Sequence, residues 1–278
     1  MTRLTPDNIF GLSHDLRDYD LELHKKTGFT LKGLSLLATE LSEHEFALRS
    51  KDSLFAIVPM TSGQGVISGF SEAVCDIISF LQCQAKITSS PDIAGMAEAF
   101  HAQADFIFCA DDADFICLNM KTRSVVHNDQ ATAKGYATAL KIHLDHRQGK
   151  VLVLGCGRIG QSALAELLVD KFHVAVYDPD AAKVAAWYEN LSSEKKKYTQ
   201  ILSSFPPSFD EYAGVLDATP VPDIIYPQLV HTDLLIAAPG VPLGIPSEAL
   251  DQVKAQVVHD PLQIGVAVMV TLSLKMAE

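Results

Sequence analysis

The stretch that most constrains this chain is Gly155-Cys156-Gly157-Arg158-Ile159-Gly160. The apolar run Val151-Leu152-Val153-Leu154 leads into it and a helical pattern leads out, the context in which a GxGxxG sequence marks a dinucleotide site. The first glycine permits the tight turn, the second lets backbone approach a pyrophosphate at a helix N-terminus, and the third lets helix and strand pack closely. The next strand-like run, His173 to Tyr177, ends in Asp178, 21 positions beyond Gly157. A carboxylate there accepts hydrogen bonds from the adenosine ribose hydroxyls and repels the extra phosphate of NADP, so NAD is the expected cofactor. Arg158 and Lys183 keep NADP as a minority option. The plainer account makes the glycines a tight turn and Asp178 a helix cap, but it leaves the ordered succession of strand, fingerprint, helix, strand and acid unexplained.

The rest of the chain is consistent with an α/β protein of two domains. From Val151 onward strand-like and helical segments alternate: Val151–Leu154, a helix to Lys171, His173–Tyr177, a helix to about Leu191, Gly214–Ala218, Leu234–Ala238, Val257–His259 and a closing helix. This reads as a C-terminal doubly wound Rossmann domain over 129–278. Ser192 to Pro207, rich in Ser, Lys and Pro, reads as a flexible surface loop.

Residues 1–128 open with Thr5-Pro6-Asp7, an N-cap with proline in the first turn. Ile9, Leu12, Leu16, Tyr19 and Leu23 then recur at helical spacing until Gly28. Leu54–Val58, Phe70–Leu81, Ala85–Thr88, Ile93–Ala102 and Phe106–Cys109 follow as strand, helix, strand, helix, strand. Phe115–Leu118 is a further strand, and Ala131–His146 a long helix leading into the second domain. The N-terminal domain is therefore also α/β and is expected to hold the substrate, with a cleft between the two domains.

Composition narrows the function. A formal charge of −12 and a pI near 5.2 oppose a large phosphate-neutralising surface, so no nucleic-acid partner is expected. The Met1-Thr-Arg-Leu start lacks the pattern of a signal peptide, and no apolar run reaches the roughly 18–20 residues of a membrane helix, so a cytoplasmic protein without membrane association is expected. Cys75, Cys83, Cys109, Cys117 and Cys156 sit in apolar surroundings without metal-ligand spacing and read as reduced core residues; no metal is expected. A homodimer is compatible with such an enzyme, although no exposed stripe demands one.

Other segments carry weaker signals. Asp217-Ala218-Thr219-Pro220 and Ala237-Ala238-Pro239-Gly240 follow late strands, where loops of a doubly wound sheet line the nicotinamide crevice; ordinary turns explain them equally well. Cofactor candidates are accordingly Gly155, Gly157, Arg158, Ile159, Gly160, Asp178, Thr219, Pro220 and Pro239. In the first domain, Thr61-Ser62-Gly63-Gln64-Gly65 concentrates hydroxyls and amides after a strand, and Asp111-Asp112-Ala113-Asp114 follows another. Composition alone favours a turn and a solvated surface, but both follow strands of one small sheet and would reach the same side of it, where a carboxylate suits a cationic amine. His259 and Asp260 offer an acid and a base, or a helix cap before Pro261. The remaining histidines, His14 and His146 among them, read as structural.

The segment Ile57-Val-Pro-Met-Thr-Ser-Gly-Gln-Gly-Val-Ile, followed by Gly69-Phe-Ser-Glu-Ala-Val, resembles the pyrrolysine-biosynthesis dehydrogenase family, PylD. Leu4-Thr-Pro, Lys26-Thr-Gly-Phe-Thr-Leu-Lys-Gly, Ala110-Asp-Asp, Ala218-Thr-Pro, Pro239-Gly-Val-Pro and Pro261-Leu-Gln-Ile-Gly-Val-Ala are similar to it in the same order. The resemblance implies an NAD-dependent oxidation of the terminal amine of L-lysine-Nε-(3R)-methyl-D-ornithine. Ammonia then leaves and the chain closes to the pyrroline ring of L-pyrrolysine. It further implies Leu4, Met60, Ser62, Ala110 and Asp111 as substrate contacts, with Ser62 and Asp111 as the catalytic pair and Leu4 as part of a lid. Met60 departs from the pattern, standing where a smaller aliphatic side chain is expected.

Asp-Ala-Thr-Pro is also similar to methylene-tetrahydrofolate and shikimate dehydrogenases, whose likeness implies a catalytic lysine in the first domain, with Lys32 as the candidate. A non-catalytic NAD-binding protein is the third reading.

Overall fold

The computed structural model describes residues 4–9, 12–144 and 149–277. Two compact units emerge: one runs through Gly135 and resumes at Pro261, and the other is Tyr136–Asp260.

The first unit opens with helices α1 (Pro6–Ile9), α2 (Leu12–Thr27), α3 (Leu31–Thr39) and α4 (Glu43–Ser50). Residues 10 and 11, within the predicted first helix, the side chain of His14, and His146 lie outside the described residues. There follow β1 (Leu54–Val58), α5 (Phe70–Phe80), β2 (Gln84–Ile87), α6 (Asp92–His101), β3 (Phe106–Ala110), β4 (Phe115–Asn119), β5 (Ser124–His127) and α7 (Asn128–Leu144). The strands form one sheet ordered β2-β1-β3-β4-β5. The first three are parallel and β4 and β5 turn back antiparallel, with Val58 opposite Cys109. Phe55, Phe106 and Phe108 are fully buried on it, Phe55 and Phe106 stacked at 4.6 Å between centroids. Because β2, β1 and β3 run parallel with β1 in the middle, the loops leaving them open at the same C-terminal end of these strands, with the β1 loop between the other two.

The second unit contains β6 (Lys150–Leu154), α8 (Arg158–Val169), β7 (Val174–Tyr177), α9 (Ala181–Glu189), α10 (Ser193–Lys196), β8 (Thr199–Ile201), β9 (Tyr212–Asp217), β10 (Leu235–Ala238), α11 (Leu250–Val253) and β11 (Val257–His259). Its six strands are all parallel in the order β11-β10-β9-β6-β7-β8. Counted from β6 this is 3-2-1-4-5-6, the Rossmann order, with its switch point between β6 and β9. The first and last residues of the unit are tied together: the Tyr136 hydroxyl donates to the Asp260 carboxylate at 3.0 Å, and the Asp260 amide donates to the same hydroxyl at 2.8 Å.

Two sequence expectations are corrected. The stretch from Ser192 to Pro207 is not simply a loop: Ser192 caps α10 through the Lys195 amide, and β8 adds the edge strand beside β7. An edge strand has one partner and one face toward water, so Thr199-Gln200-Ile201 lacks the apolar run that marked its neighbours. The division at residue 128 also moves. The units part inside α7, between Gly135 and Tyr136, and the closing helix α12 (Gln263–Lys275) belongs to the first unit, not the Rossmann half.

The reason lies in α12 itself, where eleven of thirteen residues are buried and apolar side chains occur all round. A helix with no polar face must be enclosed. Thr271 donates to the Ser35 carbonyl of α3 at 3.1 Å, Lys275 to the Thr39 carbonyl at 2.7 Å, and Arg49 of α4 caps the carbonyls of Leu274 and Lys275 at 3.1 and 3.0 Å. Where α7 and α12 meet, a Cβ on Gly135 would overlap Ile264.

Candidate functional site

In the second unit the fingerprint forms the turn from β6 into α8. Gly155 has φ +90°, a conformation that disfavours any side chain, and a Cβ there would also press on the Ala218 carbonyl at 3.0 Å. A Cβ on Gly160 would overlap the Gly155 carbonyl, so the first and third glycines are fixed by packing. Gly157 differs. Among the described residues nothing lies within 4 Å of where its Cβ would sit, and no side chain caps the start of α8. The open space therefore borders a helix N-terminus, the chemistry a pyrophosphate requires. Arg158 is exposed and Ile159 half-buried beside it.

Asp178, at the end of β7, turns back onto this loop: one carboxylate oxygen accepts the Cys156 amide at 2.7 Å, and the other accepts the Asp180 amide at 2.9 Å. Lys183 lies 3.6 Å away. Each carboxylate oxygen retains a further lone pair, so ribose hydroxyls can be added without breaking these bonds. The residues present thus fit an adenine dinucleotide.

Thr219, Pro220 and Pro239 sit on the loops after β9 and β10, and those loops are joined through Asp217, the first residue of the Asp-Ala-Thr-Pro stretch, which is not among the cofactor candidates. The Asp217 side chain accepts from the Thr219 amide at 3.1 Å and from the Thr219 hydroxyl at 2.7 Å, while its backbone carbonyl accepts the Gly240 amide at 3.0 Å. Asp217 is fully buried, and among the described residues its other carboxylate oxygen has no well-formed hydrogen bond. Burial pushes its pKa up to about 6, against the pull of the Thr219 hydroxyl and amide and of the Gly244 amide. Gly244 is where that oxygen fits, since a Cβ there would overlap it. The signal in the sequence is an acid at the very end of an otherwise apolar strand. Pro239 is buried and Pro220 exposed.

In the first unit, Ser62 lies in the exposed loop after β1, closed by the Gly65 amide donating to the Ser62 carbonyl at 3.2 Å. Asp111 starts the turn between β3 and β4, where one of its carboxylate oxygens accepts the Ala113 and Asp114 amides at 2.8 and 2.9 Å. These amides, Asp114 first, hold the Asp111 carboxyl below its usual range. It is an anion at neutral pH, suited to hold a cation and ill suited to take a proton. The structure joins the two loops directly, the Gln64 amide donating to Asp112 at 2.8 Å. Met60 and Ala110 are half-buried at the roots of the same loops, and Leu4 is half-buried just ahead of α1.

Other candidates fall elsewhere. Asp260 is bound up with Tyr136, and His259 bonds the Ala238 carbonyl at 2.7 Å through Nδ1. Lys32 lies on α3 with its ammonium 4.4 Å from the centroid of the Phe46 ring.

Strand order, glycine turn and the acid after β7 define an α/β protein of the Rossmann dinucleotide-binding class. Its first half shows a specific likeness: residues 9–126 match the family model of the pyrrolysine biosynthesis protein PylD, N-terminal domain. The likeness extends to both halves. The chain is 28% identical over 269 residues to the pyrrolysine synthase of Methanosarcina barkeri, covering 97% of each, and 27% identical to that of Methanosarcina acetivorans, covering 97% of this chain and 98% of the relative. Among solved structures, an aspartate transcarbamoylase from Trypanosoma cruzi shares the fold, with a TM-score of 0.52, 12% identity, and coverage of 91% of this chain and 94% of that one. Among the described residues, no helix is long and apolar enough to cross a membrane.

Proposed function

We propose that the protein is an NAD-dependent amine dehydrogenase that oxidises the terminal amine of L-lysine-Nε-(3R)-methyl-D-ornithine, releasing ammonia and closing the pyrroline ring of L-pyrrolysine. The observation that carries this reading is the bond between the Ser62 loop and the Asp111 turn inside the segment matched to the PylD domain. The pyrrolysine synthases similar to the whole chain supply the substrate class.

The second unit would hold the cofactor through Gly155, Gly157, Gly160 and the start of α8, with Asp178 on the adenosine ribose and the Thr219 and Pro239 loops near the nicotinamide end. NAD, when bound, supplies the hydride acceptor. Asp111, held ionised by its own turn, would pair with the substrate's amino groups, and Ser62 would fix the same end so that the carbon bearing the terminal amine presents its hydrogen. Loss of that hydride, with a proton from the amine, leaves an imine. The substrate's own neighbouring amine then adds to the imine carbon, ammonia departs, and the cyclic imine remains. Met60 and Ala110 would shape the wall around the methylated carbon chain, and Leu4 would exclude water.

The test is incubation of purified protein with this substrate and NAD, following absorbance of the reduced cofactor and product mass, with NADP in parallel. NAD reduction together with the pyrroline mass supports the reading. Cofactor binding without reduction by this substrate would overturn it.

A further inference from the structure

Strand order places a carboxylate on each side of the Ser62 loop. On the β2 side, Asp92 begins α6. Its amide donates to the Pro59 carbonyl at 2.9 Å, and its carboxylate accepts both the amide of Thr61, at 2.7 Å, and the Thr61 hydroxyl. Asp92 therefore grips the chain immediately before and immediately after Met60. It does so with φ at +55°, a left-handed backbone that disfavours a non-glycine residue and is held here by these bonds. The Thr61 hydroxyl, and then its amide, hold the Asp92 carboxyl below its usual range.

On the β3 side, Asp112 accepts the Gln64 amide at 2.8 Å. Its carboxylate fills the space a side chain would take at Gly63, which has φ +67°. Asp112 directly follows Asp111, so the grip on the Ser62 loop is anchored in the turn that carries the other catalytic candidate. Neither Asp92 nor Asp112 is needed for the sheet, whose strands end before them.

We propose that Asp92 and Asp112 are positioning residues that clamp the loop between them, fixing Met60 and Ser62 relative to Asp111; the inference rests on the proposed amine oxidation and names further residues on which it depends. Three exposed loop residues with glycine at 63 and 65 would otherwise sample many conformations, and near-attack geometry is lost with displacements of about 1 Å. Two carboxylates accepting backbone amides replace that freedom with charge-assisted bonds.

The test compares Asp92→Ala and Asp112→Ala with Asp92→Asn and Asp112→Asn in the full-length protein by three readouts: amide hydrogen exchange over residues 59–65, kcat and KM for the diamine substrate, and Kd for NAD. The alanine variants should exchange faster in this segment and lose about 10- to 100-fold in kcat/KM, mainly in kcat, with Kd for NAD unchanged. Asp112→Asn keeps an oxygen for the Gln64 amide and should recover most of the activity. Asp92→Asn keeps one acceptor where two are used and should recover less. Unchanged exchange in the alanine variants, or faster exchange with kcat/KM intact, would overturn the clamp. An inactive wild type would instead overturn the proposed reaction, while exchange over 59–65 would still decide whether the two carboxylates hold the loop.

Discussion

The two units build their loops by opposite means. In the second unit the loop is shaped by what is missing: Gly155 and Gly160 leave room for backbone to pack on backbone, Gly157 leaves open space, and Asp217 is sealed beneath the neighbouring loops. In the first unit the loop is exposed and shaped by what is added, with Asp92 and Asp112 fastening it from either side. At Gly155 and Gly160 such a loop tolerates almost no added atom, whereas one made of side-chain bonds should fail by degrees.

The largest effect therefore belongs to Gly160→Ala. Its Cβ would overlap the Gly155 carbonyl, and the turn and α8 must separate to admit it. NAD affinity should fall by at least about 100-fold in a calorimetric titration. Affinity within threefold of wild type would show that the glycine loop can relax, and the contrast between the units would collapse.

Asp111→Asn comes next. It preserves shape but removes the anion, and should lower kcat/KM for the amine substrate by about 100-fold while Kd for NAD stays put. Parallel losses in both would mean that the loops of the first unit are not specific to substrate. Asp178→Ala should weaken NAD about 10-fold and narrow its advantage over NADP, measured as the ratio of the two dissociation constants. An unchanged ratio would leave Asp178 only its bonds to the Cys156 and Asp180 amides.

The last effect is on stability and not on ligand binding. Asp217 has a folded pKa of about 6 against an ordinary 3.8, so burial penalises its ionised form. Well below pH 3.8 the carboxyl is protonated in both states and nothing is lost. As pH rises through 6 the folded protein forfeits up to about 3 kcal/mol relative to an un-ionisable side chain. Urea unfolding of Asp217→Asn should lack this decline between pH 4 and 6, and parallel curves for the two proteins would place the ionisation elsewhere.

The same contrast explains what the sequence disclosed. Backbone packing demands particular glycines at fixed spacing, so Gly155, Gly157, Gly160 and Asp178 are legible in the sequence alone as a turn and its acid. Strands buried on both faces announce themselves as apolar runs. The polar edge strand Thr199–Ile201 does not, because one of its sides needs no partner. The closing helix follows the alternating half in sequence and reads as its natural end. Its all-round apolar surface shows that it must be buried but carries no information about which unit encloses it. The first unit's site is harder to read. Ser62 and Asp111 stand in segments whose composition suits any surface loop, and resemblance to a family singles them out. Asp92, Asp112 and Asp217 act through bonds to residues distant in sequence or through burial, neither of which a linear pattern records. Lys32, the candidate for the catalytic lysine that the alternative dehydrogenase reading implies, lies on α3 over the Phe46 ring.

The central claim is that hydride leaves the carbon bearing the terminal amine. Substrate deuterated at that carbon, turned over with NAD and examined by mass spectrometry, tests it most directly. The account predicts one deuterium in the reduced cofactor and a pyrroline product that has lost one. Reduced cofactor without deuterium, or a product retaining both, would contradict it.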